Sequence, residues 1–502
     1  MTARTLMVQG TASSAGKSVI TAALCRIFRQ DGYRVAPFKS QNMALNSFVT
    51  WEGGEIGRAQ AVQAEAAGIE PSVDMNPILL KPEADAVSQV IVMGKVYGRI
   101  PASVYYNHTP RLLKVACVAL DRLRRKYDVV VIEGAGSPAE VNLKEREIVN
   151  MRIARLHRTP VLLVGDIDRG GVFASLIGTL ELLEPGEREL VRGFIINKFR
   201  GNIGLLKPGL EFLEKRTSKP VLGVIPYSNE VTVAQEDSVY LDERKPEAKP
   251  GALDMVVIRL PRVSNYDDFD PLEEAGCNVR YVRSTDELGE PDLLIIPGTK
   301  STVADLAHIR KLGFDRAITA LARKGKPVIG ICGGFQMLGE VIIDTDGVEA
   351  KPGVVKGLGL LRIQTTFRKE KRTSQVRAKV AAGGKGLLNG LSGVDVEGYE
   401  IHMGVSEVRE TRPFRVKGNS RYDGYDDGGI NGSGLVFGTY IHGLFKNAQF
   451  TRGLLANLRR ISRPDAVETV PVDTGDRYDR LARLVRENLD MKRVNEIVFG
   501  RS

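Results

Sequence analysis

Apolar residues along the chain fall into short runs separated by stretches with helical periodicity. Residues 4–10, RTLMVQG, form such a run, a Gly/Ser segment follows, and Val19, Ile20, Ala23, Leu24, Ile27 and Phe28 then recur at the spacing of one helix face until Gly32. Strand, loop and helix are predicted in that order. Further runs lie at VAPF (35–38), DVVVIEG (128–134), PVLLVGDI (160–167), GFIINKF (193–199) and PVLGVIP (220–226). Unbroken Val/Ile/Leu runs that alternate with helical stretches are strands buried on both faces, so the pattern predicts a parallel sheet covered by helices.

The pattern lapses after Pro226. Residues 236–252, EDSVYLDERKPEAKPGA, are polar and carry two Lys-Pro steps, which predicts an exposed linker. A second series begins at LDMVVIRLP (253–261), passes through VRYVRS (279–284), DLLIIPG (292–298) and KPVIGICGG (326–334), and ends in GLVFGTYIHG (434–443). Within it, residues 345–433 are rich in glycine and charge, and alternation such as VRAKVAA predicts an antiparallel excursion. Residues 450–502, with RGLLANLRR and RLARLVRENL, read as a helical C-terminal extension. No repeat is visible, so two unlike α/β domains are expected, over 1–235 and 253–449, with the linker at 236–252 and the extension at 450–502.

Length and composition agree: 502 residues, 43% hydrophobic and 26% charged, suit a globular chain of more than one domain. No apolar run approaches the roughly 18 residues of a membrane span, and the first residues lack the apolar core and cleavage-like site of a secretory signal, so a cytoplasmic location is expected. Four cysteines without CxxC or Cys/His spacing argue against a disulfide scaffold or a structural zinc. The formal net charge is +10, and 30 basic against 23 acidic residues fall within 1–235. They are scattered; the one cluster, Arg122, Arg124, Arg125 and Lys126, has the form of a solvated helix end, and aromatics make up only 6%. A nucleic-acid groove is not expected, and a small polyanionic substrate is.

The chemistry lies at strand ends. Gly10-Thr11-Ala-Ser-Ser-Ala-Gly16-Lys17-Ser18 joins the first strand to the first helix, where backbone N–H groups and a helix N-terminus can face phosphates. Lys17 would then reach the β- and γ-phosphates and Ser18 would hold Mg²⁺, although five residues rather than the usual four separate the glycines. Glu133 closes DVVVIEG as a second Mg²⁺ ligand; Asp166 and Asp168 lie at another strand end, where function and helix capping are equally good readings. In KPVIGICGGFQMLG a buried strand runs into Cys332 between glycines and then a helix, which is a nucleophile elbow whose N–H groups can stabilise a thiolate and an oxyanion. Among His108, His157, His308, His402 and His442, His442 is best placed as its acid–base partner and His402 second. Gly298 and Thr299 suit oxyanion or substrate contacts. Cys25, Cys117 and Cys277 read as inert filling.

With these residues in view, the chain resembles the cobyric acid synthases, glutamine-dependent amidases of cobalamin biosynthesis. The likeness is carried by GTASSAGKS (10–18), PFKSQNMALNS (37–47), GEIGRAQAVQAEAA (54–67) with MNPILLKP (75–82), EGAGSPAEVNL (133–143) with GDIDRGGVFA (165–174), and GICGGFQMLG (330–339) with GTYIHGLF (438–445). The longer phosphate loop also matches this family and the dethiobiotin synthetases. The resemblance implies a P-loop NTPase domain of dethiobiotin-synthetase type followed by a class I glutamine amidotransferase domain. It implies nucleotide contacts at Gly10, Thr11, Gly16, Lys17, Ser18, Lys39, Asn197 and Lys198, Mg²⁺ near Ser18, Glu55 and Glu133, and substrate contacts at Gln41, Asn42, Asn46, Gly298, Thr299 and Gln336. Cys332 and His442 become the glutaminase pair. Class I glutaminases usually carry Glu two residues after the histidine; here that residue is Leu444, so a dyad or another carboxylate such as Glu400 must serve.

The chemistry so implied is attack of Cys332 on the glutamine amide, protonation of leaving ammonia by His442, and amination of a carboxylate activated by MgATP. Its substrate is adenosylcobyrinic acid a,c-diamide, amidated at b, d, e and g. The partners expected are glutamine and a corrinoid, with no nucleic acid and no membrane span, and a homodimer is left open. Two rivals stand: cobyrinic acid a,c-diamide synthase, against which the QNMALNS block argues, and a ParA-like DNA-partition ATPase, which has no use for a cysteine elbow.

Overall fold

The structure, a computed structural model, describes residues 2–84, 86–228, 251–349, 351–381, 384–418, 423–463 and 476–500. The chain forms two compact units, one of residues 1–44, 54–237 and 474–502, the other of residues 45–53 and 238–473. Most of the expected linker, 236–250, lies outside the described residues.

The first unit is built on a six-stranded sheet in the order Val221–Pro226, Val191–Phe199, Val161–Asp166, Arg4–Gly10, Val129–Glu133, Val35–Phe38. Every neighbouring pair is parallel, as the unbroken apolar runs predict. Strand Val129–Glu133 is buried at all five positions. Helix Lys17–Gln30 lays Ile20, Leu24, Ile27 and Phe28 on one face of the sheet, and helix Thr109–Lys126 lays Leu112, Ala116, Leu120 and Leu123 on the other. One feature the sequence reading missed is a separate four-stranded sheet, Gln41–Met43, Ile78–Ala84, Val87–Val92 and Lys95–Pro101, inserted between the second and third strands of the main fold.

The C-terminal residues do not form the single extension expected over 450–502. Helix Ala448–Ser462 packs Phe450, Leu454, Leu455 and Leu458 into the core of the second unit. Helices Arg477–Asn488 and Met491–Phe499 instead return to the first unit, where Leu481, Val485, Val494 and Val498 meet the face of helix Lys17–Gln30. Ion pairs accompany that apolar contact: Arg26 of that helix holds Asp476 at 2.5 Å and Asp479 at 2.7 Å.

In the second unit the main sheet runs Asn278–Val282, Asp254–Ile258, Leu293–Ile296, Val328–Ile331, Val436–Thr439, all parallel, with Gly429–Ile430 antiparallel at its edge. The predicted antiparallel excursion is a second sheet dominated by the long pair Ile363–Val380 and Asp395–Val408. Within each unit the parallel strands of the main sheet end at the same edge of that sheet. In parallel α/β sheets that edge is where ligands are handled.

Candidate active site

In the first unit, four strands deliver the expected residues to that edge. Strand Arg4–Gly10 ends in the phosphate loop, and Gly16 adopts φ 102°, in the left-handed region. A Cβ there would also come 1.9 Å from the Asn197 amide nitrogen, so a side chain would displace that amide. Asn197, at the end of the neighbouring strand but one, uses that amide to donate to the Ala15 carbonyl at 3.0 Å, bracing the loop. Lys17 opens the helix with its Nζ folded over the loop onto the carbonyls of Ala12, 2.8 Å, and Gly136, 3.1 Å. No side chain caps the start of this helix, which opens directly from the loop with the positive end of its dipole.

Glu133 is the centre of this site. Ser18 Oγ donates to its Oε1 at 2.9 Å, Lys39 Nζ pairs with the same oxygen at 2.9 Å, and Gln63 donates to Oε2 at 2.5 Å. Burial would push this carboxyl up, but Lys39, Gln63 and Ser18 together hold it below the usual carboxylate range. An ionised carboxylate beside a hydroxyl is a donor set that fits Mg²⁺, which keeps several of its own waters and phosphate oxygens. Glu55, the other metal ligand expected, is instead held by the Lys81 ammonium at 2.8 Å, both groups buried. Lys39 likewise sits on Glu133 rather than standing free for phosphate. Lys198, with φ 60°, pairs with Asp166 at 2.7 Å, and Asp168 pairs with Arg200 at 2.9 Å, so both aspartates anchor neighbouring cations. Thr11 joins the loop to the sheet through its N–H on the Val164 carbonyl. Gln41 accepts from the Tyr105 hydroxyl and Asn42 donates to Gln60 at 3.1 Å. Asn46 falls in the 45–53 segment of the second unit.

In the second unit, Cys332 stands between strand Val328–Ile331 and helix Gly333–Leu338 with φ 51° and ψ −106°, the strained backbone of an elbow. Glycine at 334 is required by close approach: a Cβ there would lie 2.0 Å from the Ile296 carbonyl of the adjacent strand end. His442 follows strand Val436–Thr439, which pairs directly with the cysteine strand, and is buried. Gly298 allows the imidazole to lie against its own strand end, since a Cβ would stand 3.0 Å from His442 Cε1. Gln336 spans Thr302 Oγ1 at 3.0 Å and the Tyr440 hydroxyl at 3.2 Å. Thr299 spends its hydroxyl on Arg262 O at 2.9 Å and Asp305 at 2.5 Å.

The carboxylate that orients His442 is not Glu400. Tyr399 stacks on the imidazole, with ring centroids 5.3 Å apart and 19° between planes, and successive side chains of a strand face opposite ways. Glu400 therefore points away, to Arg372 at 2.8 Å and His402 Nε2 at 3.6 Å, and against the upward push of burial the hydrogen bond with His402 and the Arg372 charge hold it below the usual range. His402 donates from Nδ1 to the Gly404 carbonyl at 2.7 Å and stacks on Tyr440. Asp268 takes the place left open: its Oδ2 is 2.7 Å from His442 Nδ1, and its Oδ1 accepts from the Gly443 N–H at 2.8 Å. Burial would lower the imidazole, but Asp268 and the Cys332 sulfur outweigh it and push it up to about 10. The sequence reading passed over Asp268 because 174 residues separate it from His442. The available signal was its place just past the first strand of the unit. Cys25 is buried, and burial pushes its thiol up, as for Cys117, which fits inert filling.

Residues 254–450 match the CobB/CobQ-like glutamine amidotransferase domain family, and residues 6–239 match the CobQ/CobB/MinD/ParA nucleotide binding domain family. A cobyric acid synthase of Dehalococcoides mccartyi (strain CBDB1) is 57% identical over 498 residues, which cover 99% of this chain and 99% of the relative. Those of Sorangium cellulosum (strain So ce56) and Desulforamulus reducens (strain ATCC BAA-1160 / DSM 100696 / MI-1) are 52% and 50% identical, each over 99% of this chain and 99% and 98% of their own. No helix among the described residues is long and apolar enough to cross a membrane.

Proposed function

The chain belongs to the cobyric acid synthase family, and from that premise we propose that it amidates the b, d, e and g carboxylates of adenosylcobyrinic acid a,c-diamide, using ATP and glutamine, to give adenosylcobyric acid. It is a carbon–nitrogen ligase with a glutamine amidotransferase unit. The observation that carries the reading is the Cys332 elbow facing a buried, carboxylate-backed His442 in a chain whose other unit presents a phosphate loop to Glu133.

In the glutaminase unit, the Cys332 sulfur attacks the side-chain amide carbon of glutamine. The oxyanion forms beside the N–H groups that follow the elbow, His442 gives its proton to the amide nitrogen so that it departs as ammonia, and water then releases glutamate from the thioester. In the synthetase unit the phosphate loop and helix N-terminus bind the ATP phosphates, and Lys17 lies over the loop to neutralise charge as the terminal phosphoryl group passes to a substrate carboxylate. Ser18 and Glu133 would hold Mg²⁺, which when bound supplies positive charge to the phosphates. Ammonia displaces phosphate from the acyl phosphate and leaves an amide. Lys39 and Gln63 keep Glu133 ionised and oriented throughout. The reaction needs ATP and a corrinoid made inside the cell, which supports a cytoplasmic location.

Mass spectrometry of the corrinoid after incubation with MgATP and glutamine tests the proposal. Four replacements of OH by NH₂ on the a,c-diamide are expected, and Cys332→Ala should abolish them with glutamine while leaving them with ammonium salts. Amidation of the unamidated macrocycle at a and c, or glutamate release undiminished in Cys332→Ala, would overturn it.

A further inference from the structure

We propose that Asp268 is the positioning residue of the glutaminase, holding His442 through Nδ1 so that Nε2 is presented to the Cys332 sulfur. The inference rests on the proposed glutamine hydrolysis and supplies what Leu444, in the position two residues after the histidine, cannot. The geometry is two-pronged. Oδ2 takes the Nδ1 proton at 2.7 Å while Oδ1 takes the Gly443 N–H at 2.8 Å, so one carboxylate fixes both the ring and the backbone that carries it.

Asp268 is itself held in place. It lies in the short turn Tyr266–Phe269 beyond strand Asp254–Ile258, and its N–H bonds the Asn265 carbonyl at 3.1 Å. Asn265 starts the turn at φ 53° and accepts the Ser47 N–H at 3.0 Å. Asp268 is 3% exposed and His442 1%, so the pair works out of bulk water, where a charge-assisted bond is strong. The neighbouring Asp267 faces Lys446, at 4.0 Å, and not the ring.

With Nδ1 committed, the second ring nitrogen is the one left to the sulfur. The carboxylate stabilises the imidazolium that exists before the leaving amide nitrogen is protonated and blocks the tautomer with its proton on the wrong nitrogen. No proton passes to Asp268. The bond that breaks is the glutamine C–N bond, the bond that forms is the thioester C–S bond, and the proton that lets the amide nitrogen leave as ammonia comes from Nε2. The titratable groups facing the ring are Asp268 and Cys332, with the Tyr399 ring stacked on its face and the Tyr399 hydroxyl bonded to the Ser47 carbonyl.

The test compares wild type, Asp268→Asn and Asp268→Glu as full chains. Asp268→Asn should lower glutaminase kcat by about 10²- to 10⁴-fold with little change in the KM for glutamine, as expected when a triad carboxylate is neutralised but its shape is kept. Its pH profile should lose the alkaline limb near 10, and Asp268→Glu should recover part of the rate. Amidation with ammonium chloride and MgATP should stay within about two-fold of wild type, because that route bypasses Cys332 and His442. Glutaminase kcat in Asp268→Asn within about three-fold of wild type overturns the inference. So does a parallel loss of both activities with a lowered Tm, which would assign Asp268 a role in folding alone. If the wild type releases no glutamate, the glutaminase reading fails first.

Discussion

The roles proposed for Glu133 and His442 depend on what surrounds each side chain. Glu133 would be a poor ligand if burial raised its carboxyl; three donors, one of them the Lys39 ammonium at 2.9 Å, keep it ionised. Glu133→Gln is expected to lower amidation at least ~100-fold with either glutamine or ammonium as nitrogen source. Glutamate release measured on the same protein should stay near wild type, and its loss would place Glu133 in a structural role common to both activities. His442 carries a pH prediction. Its folded value, about 10, stands above the unfolded 6.5, so the stability it contributes is fully present below about pH 6.5 and is lost as pH rises through about 10. Tm should therefore fall across that window more in wild type than in Asp268→Asn, and equal slopes by scanning calorimetry would contradict the linkage. Cys332, His442, Lys17 and Ser18 were legible in the sequence because their neighbours spell out the local backbone, glycines before and after and a strand ahead. Asp268, Lys81 and Gln63 were not, since each meets its partner only through the tertiary fold.

At the scale of elements, strand ends position everything of interest, and glycine decides how closely they approach. Helix Gly333–Leu338 can pass over strand Leu293–Ile296 only because Gly334 lacks a Cβ. Gly334→Ala should cost about 1–3 kcal/mol of stability by overpacking against a carbonyl that cannot move freely. Because the displaced element carries Cys332, glutaminase should fall more than ammonium-driven amidation. Gly178, inside helix Val172–Leu182 with open space where a Cβ would stand, is the opposite case: Gly178→Ala is expected to stabilise by about 0.5–1 kcal/mol. Chemical denaturation of both variants checks the sign. The main strands were legible because burial on both faces leaves an unbroken apolar run. The inserted four-stranded sheet was not: Ile78–Ala84 turns to Lys-Pro-Glu-Ala after three apolar residues, and Lys95–Pro101 is exposed at most positions, so neither gives a clean period.

At the scale of the whole molecule, the chain leaves its first unit for more than two hundred residues and then comes back, and the energetics say the return is indispensable. Helix Lys17–Gln30, which begins at the phosphate loop, buries one face on the sheet and offers another to the C-terminal helices. Leu481, Val485, Leu489, Val494 and Val498 are buried against that core, Tyr478 donates to Glu65 at 2.6 Å, and Arg486 holds Asp31 at 2.7 Å. Five such aliphatic side chains at roughly 1.5–3 kcal/mol each amount to about 10 kcal/mol, comparable with the whole stability of a typical domain. A chain ending at residue 473 should therefore lose the first unit: amidation vanishes with glutamine and with ammonium alike, and limited proteolysis cuts within residues 1–228. The shortened chain keeps the second unit's core, Cys332 and His442 within residues 253–463 together with the 45–53 segment that packs on Tyr399 and Ile401, so glutamate release should persist in it. Retention of ATP-dependent amidation would show that these helices only cover the first unit. Loss of both activities together would show that the two units do not fold independently.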